Sequence, residues 1–192
     1  MGELEEMEFI KYNINNIDEF FEFCNSKIEY GWIDENGQRH YGTNYGGKNC
    51  LQSPEKLLDT KLGICWDVTE LSREYFTVNG YKNETYFIYY DDGQDYPSHS
   101  ILVFYKDDGV YWFEPMFKDK IYYYSGIHRY KNTQELLQDF KKRFIENALI
   151  KKFIPEDYDI NRIYIYKFNK PDYGIQAKEY YDSCCSGEKI II

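Results

Sequence analysis

With 192 residues the chain has room for one domain burying roughly 70 % of its unfolded surface around a single core, and too little for two full ones. Hydrophobic residues make up 43 % and aromatics 20 %, including 22 Tyr, a composition that argues against disorder over most of the length. The net charge of −10, from 23 basic and 33 acidic residues, repels phosphate backbones and anionic headgroups and so argues against nucleic acid and membrane as partners.

No run approaches the roughly 20 apolar residues of a spanning helix, and Met1 to Phe9 is acidic where a secretion signal is basic and then apolar. The expectation is a cytoplasmic protein. Asn16 followed by Asp18 and Glu19 predicts a capped helix start, and Ile17, Phe20, Phe21, Cys24 and Ile28 recur at helical spacing up to a stop at Gly31. Trp32 to Gly47 is rich in Gly, Asn and Asp without a sustained period, which predicts a long irregular loop. Ser53-Pro54 is a cap followed by proline at the first helical position, opening a short helix through Leu57 and Leu58.

Ile64, Val68, Leu71 and Tyr75 mark the next helix, which Asn79-Gly80 ends, with Cys65 in its first turn. Three strands are predicted after it, over Thr85–Tyr90, His99–Tyr105 and Val110–Phe113, the last two forming a hairpin. An aromatic run, Ile121–Tyr124, reads as another sheet segment. A second long helix opens at Asn132, with Glu135 three residues on, and continues to about Ala148. Arg162–Phe168 reads as a last strand, and 171–192 is a tail without a clear period. The domain is therefore expected to span 1–170.

Among titratable and nucleophilic residues, five cysteines form no C-x-x-C pair and three histidines no H-x-x-x-H, so no metal or other cofactor is expected. Their odd number also argues against a disulfide framework. Cys184-Cys185 is vicinal but reads as incidental, and His40 and His128 show no evident partner in sequence. Tyr45 to Asn49 lacks the spacing of a phosphate-binding loop.

Cys65 differs from the other cysteines in its setting. A helix N-terminus and a nearby imidazolium both stabilise a thiolate, and Gly63 lets the chain turn tightly just before the helix. His99 opens a strand on whose same face lie Ile101, Val103 and Tyr105. The hairpin register decides what Glu114 does. If Tyr105 pairs with Val110, Glu114 lies opposite Ile101 and diagonal to His99, roughly 7–8 Å away at the backbone and within side-chain reach. A tighter Asp108-Gly109 turn moves Glu114 opposite Val103, and a three-residue loop puts it on the other face.

The run K-L-G-I-C-W-D-V-T-E-L-S-R-E-Y-F-T-V-N-G-Y (61–81), followed by His99-Ser100-Ile101-Leu102-Val103 and Trp112-Phe113-Glu114-Pro115, resembles the core of transglutaminase-like proteins. The Cys-Trp pair at a helix start is also similar to papain-type proteases. The resemblance covers about 51–117. It implies an α+β fold, with an antiparallel sheet packed against the helix that carries Cys65, and a triad of Cys65 as nucleophile, His99 as base and Glu114 as orienting acid. Glu114 departs from the family pattern, which most often has Asp there. For the oxyanion, the backbone N–H of Cys65 is the generic donor, with Gln52 and Asn49 as side-chain candidates. The implied activity is that of a thiol hydrolase or acyltransferase on a peptide, amide or thioester bond, with a peptide or protein, or a small acyl or amine compound, as substrate. The alternative is a catalytically silent transglutaminase-like fold that binds a protein partner.

Overall fold

The computed structural model describes residues 14, 16–41, 48–93, 97–115 and 125–192. The aromatic run at 121–124, the acidic start of the chain, and 42–47 of the expected loop lie outside the described residues.

Helix α1 (Ile17–Lys27) begins where Asn16 Oδ1 accepts the Glu19 N–H at 2.9 Å, a cap worth about 1 kcal/mol. It ends at Lys27, before the expected stop at Gly31, because Ile28 is already extended. Gly31 belongs instead to β1 (Glu29–Ile33), where a Cβ would come within 2.5 Å of the His40 carbonyl oxygen and 2.6 Å of Leu62. Its lack of a side chain permits close strand approach. β1 pairs with β2 (Arg39–Tyr41), so the segment expected to be irregular holds a hairpin. Asp34 Oδ1 closes its turn by accepting the N–H groups of Asn36 and Gln38, a local chemistry that strand periodicity does not register.

Helix α2 (Pro54–Thr60) starts at Ser53 as expected and leads into β3 (Leu62–Gly63), which joins β1 in parallel. Helix α3 (Cys65–Val78) follows at once. The main sheet has six strands: β4 (Asn83–Tyr90), β5 (Ser98–Lys106), β6 (Gly109–Glu114), β7 (Gly126–Tyr130), β8 (Ile163–Phe168) and β9 (Glu188–Ile190). Their order is β7-β6-β5-β4-β8-β9 and every pairing is antiparallel. Tyr105 pairs with Val110, the register that places Glu114 diagonal to His99.

Strand alternation gives the sheet two apolar faces. Leu102, Phe104 and Phe113 face α3 and α1, joining Leu71, Phe76 and Phe20. Ile101, Val103 and Trp112 face α4 (Thr133–Ile150), which starts at the Asn132 cap and buries Leu136, Leu137 and Phe140. The fold is thus α+β, an antiparallel sheet with helices on both sides.

The segment from Pro171, which shows no clear period in sequence, has regular structure. It carries α5 (Ala177–Cys185) and then β9, so β8 is not the last strand. Tyr180 and Cys184 are fully buried, in a cluster with Trp66, Phe87 and Cys65. No helix among the described residues is long and apolar enough to cross a membrane.

Candidate active site

Cys65 is the first residue of α3, where N–H groups lack intrahelical acceptors. The helix starts there because Asp67, at its third position, reaches back: Oδ2 accepts the Ile64 N–H at 2.9 Å and Oδ1 the Gln52 N–H at 2.8 Å. Ile64 has no side-chain oxygen, so only the return half of a capping box is made. Burial pushes the Asp67 carboxyl up to about 6, against the pull of those two N–H bonds. One carboxylate therefore fixes both the start of the Cys65 helix and the segment at 49–52 beside it.

His99 is buried on β5 and its Nε2 lies 2.6 Å from Glu114 Oε2. The Cys65 side chain lies close enough to the same imidazole to raise its proton affinity. β6 ends at Glu114, before the position opposite His99, so the imidazole sits at the end of that strand pair, where the start of α3 reaches it. Burial alone would push the imidazole down in proton affinity. The Glu114 charge, the nearby Cys65 side chain and the bond to Glu114 outweigh it and raise the pKa to about 10. Phe140 of α4 closes over the ring, with centroids 6.1 Å apart.

Among the described residues a cavity of about 10 Å³, room for about one water, lies beside Cys65, walled by Thr69, Ser72, Ser100, Leu102, Phe113 and Glu114. Cys65 itself is 8 % exposed.

Of the two side-chain oxyanion candidates, Gln52 is committed elsewhere. Its Nε2 donates to the Leu62 carbonyl at 2.7 Å and its Oε1 accepts from Thr60 at 2.9 Å. Asn49 is only 1 % exposed, and neither atom of its amide has a hydrogen-bond partner among the described residues. It stands two residues before Leu51, which packs in the cluster holding Ile64, Cys65 and Trp66.

The remaining candidates have structural partners. His40 bonds Asp34 Oδ2 at 2.9 Å and stacks on Trp32. His128 lies against Trp112. All five cysteines are free thiols, and burial pushes the Cys24 and Cys184 thiols far up. Among the described residues no group of three or more His, Cys, Asp and Glu is placed to hold a metal ion.

Sequence reasoning missed Asp67, Tyr180 and Tyr181. Asp67 was findable as an acid at the third helical position. So was α5, because Gln176 and Glu179 have the spacing of a capping box, and the Glu179 carboxylate accepts the Gln176 N–H at 3.0 Å. That Tyr180 stacks on Trp66, 114 residues earlier, with centroids 4.3 Å apart, left no local signal. No family model matches the sequence, and no curated protein matches it either.

Proposed function

We propose that the protein is a thiol hydrolase or acyltransferase of the transglutaminase-like or papain-like kind, with Cys65 as nucleophile, His99 as base and Glu114 as orienter. The observation that carries this reading is a single buried imidazole that lies 2.6 Å from a carboxylate and beside a thiol at a helix start that raises its proton affinity. That is the arrangement of a nucleophile, its base and the group that holds the base.

In the proposed reaction sulfur attacks an acyl carbon as the thiolate, its proton already held by His99, whose pKa is raised to about 10. The carbonyl oxygen takes up the negative charge, and the leaving amine, alcohol or thiol departs with the proton that His99 returns. The resulting thioester is resolved by water, giving an acid, or by an amine, giving a new amide. The Cys65 backbone N–H and the Asn49 amide are the proposed donors to the oxyanion. Asn49 is favoured over Gln52 because its N–H bonds are unused, whereas Gln52 braces the loop before β3.

The test is competitive alkylation with iodoacetamide near neutral pH. Cys50 and Cys185 are more exposed than Cys65, so exposure alone would label them first. Faster labelling of Cys65, falling roughly a hundredfold in His99→Ala, is the expected result. Labelling of Cys65 slower than Cys50 and indifferent to His99→Ala would sink the enzyme and leave a fold that binds a partner.

A further inference from the structure

We infer that Tyr180 and Tyr181 of α5 are positioning residues for Cys65 and His99, holding the strand of the imidazole and the helix of the thiol in one register. The inference rests on the triad reading above and adds to it a part of the chain beyond the 51–117 core.

Each tyrosine faces one of the two residues that flank His99. The Tyr180 hydroxyl lies 2.9 Å from Ser100 Oγ, and the Ser98 side chain sits near the Tyr181 hydroxyl, opposing the rise that burial imposes on it. Along a strand, side chains alternate, so Ser98 and Ser100 project to one face and His99 to the other. Contact at both serines therefore fixes the backbone on either side of His99 without occupying the imidazole, which is left to Glu114 and Cys65.

The same two rings also press on the neighbour of the thiol. Tyr180 stacks on Trp66 with centroids 4.3 Å apart and planes 17° apart, and Tyr181 meets it edge-on at 6.0 Å. Trp66 immediately follows Cys65 in the first turn of α3. Two adjacent residues of α5 thus touch the sequence neighbours of both the nucleophile and the base. Tyr180 is fully buried and Tyr181 packs edge-on against Phe87 of β4 at 4.8 Å, so the contacts are held by core packing. Small errors in the sulfur-to-imidazole placement are costly, since a displacement of about 1 Å can cost a hundredfold in rate.

The decisive variants are Tyr180→Phe and Tyr181→Phe, which keep both rings and delete the hydroxyl groups that face the serines. The expected result is a roughly tenfold or larger fall in the second-order alkylation rate of Cys65, with a displaced pH–rate profile and a native near-ultraviolet circular dichroism spectrum. Ser100→Ala removes the Tyr180 bond from the strand side. It should match Tyr180→Phe, and the double variant should be no slower than either, because one bond is shared. If Tyr180→Phe does not fold, Ser100→Ala supplies the same measurement.

Loss of thermal stability with an unchanged rate and pH profile would make the tyrosines packing residues only and overturn the inference. In that case wild-type Cys65 would still label in a His99-dependent way, which separates this failure from failure of the triad reading. Labelling that never depends on His99 would remove both.

Discussion

The α4 side of the sheet buries Ile101, Val103, Trp112, Leu136 and Phe140, and among the described residues its buried carboxyl and imidazole groups are Glu114 and His99 at the sheet's end. The α3 side buries Asp67, Glu70, Thr69, Ser72, Thr85 and Ser100 among its apolar groups. There the polar groups are joined: Glu70 takes both Nε and a terminal nitrogen of Arg73, which also donates to Thr85, and Thr85 donates to the Phe168 carbonyl. A buried polar group left unpaired costs about 1–3 kcal/mol, so such a layer is kept only where every member has a partner or a use. The α4 side is held by apolar area. The α3 side trades some of that area for orientation, and Cys65 lies at its end.

Four substitutions put pressure on that contrast. The largest effect on stability belongs to the apolar side: Leu136→Ala should destabilise by about 2–5 kcal/mol in urea denaturation, yet leave the alkylation rate of Cys65 unchanged in the folded protein. A fall in that rate would mean that α4 shapes the site as well as covering it.

Glu114→Gln comes next. The Glu114 charge is the chief effect raising His99, so the imidazole titration followed by NMR should drop from about 10 toward the ordinary 6.5. A raised histidine binds its proton more tightly in the folded state. Its stabilisation is therefore complete below about pH 6.5 and is lost as pH climbs through about 10. Wild type should exceed Glu114→Gln in stability at pH 6, and the two curves should converge toward pH 10. Parallel curves would show that the pair carries no such linkage.

Asp67→Asn should cost about 1–3 kcal/mol at neutral pH, because an amide offers one acceptor where two N–H groups need one each. Burial raises this carboxyl to about 6, so the folded state holds a proton that the unfolded chain releases. Its contribution to stability falls as pH rises from about 3.8 to about 6, a decline that Asp67→Asn should abolish. The smallest effect is expected for Asn49→Ala, less than about 1 kcal/mol, since no hydrogen bond is lost. Destabilisation much beyond that value would show that the amide has a structural task, and would remove it as an oxyanion donor.

Local signals in the chain determined a good deal of this arrangement. Asn16, Ser53 and Asn132 announce helix starts through side-chain oxygens that accept N–H groups three residues on, and all three do so in the fold. The period of Ile64, Val68, Leu71 and Tyr75 places Cys65 at a helix start, and alternation along β5 puts His99 on the face of Ile101 and Val103. Both follow from the geometry of a single element, which repeats every 3.6 or two residues and so leaves its mark in sequence.

Contacts between elements leave no such mark, and these only the tertiary structure decided. It selected the Tyr105–Val110 register from the three that the turn residues allowed. It folded the Asp34 turn into a hairpin, tied Gln52 to the start of α3 through Asp67, and brought α5 back across the chain to Trp66, Ser98 and Ser100. The aperiodic stretch after Pro171 gave no reason to expect a fully buried tyrosine there. Burial is a property of what packs on top, and that partner lies more than a hundred residues away along the chain.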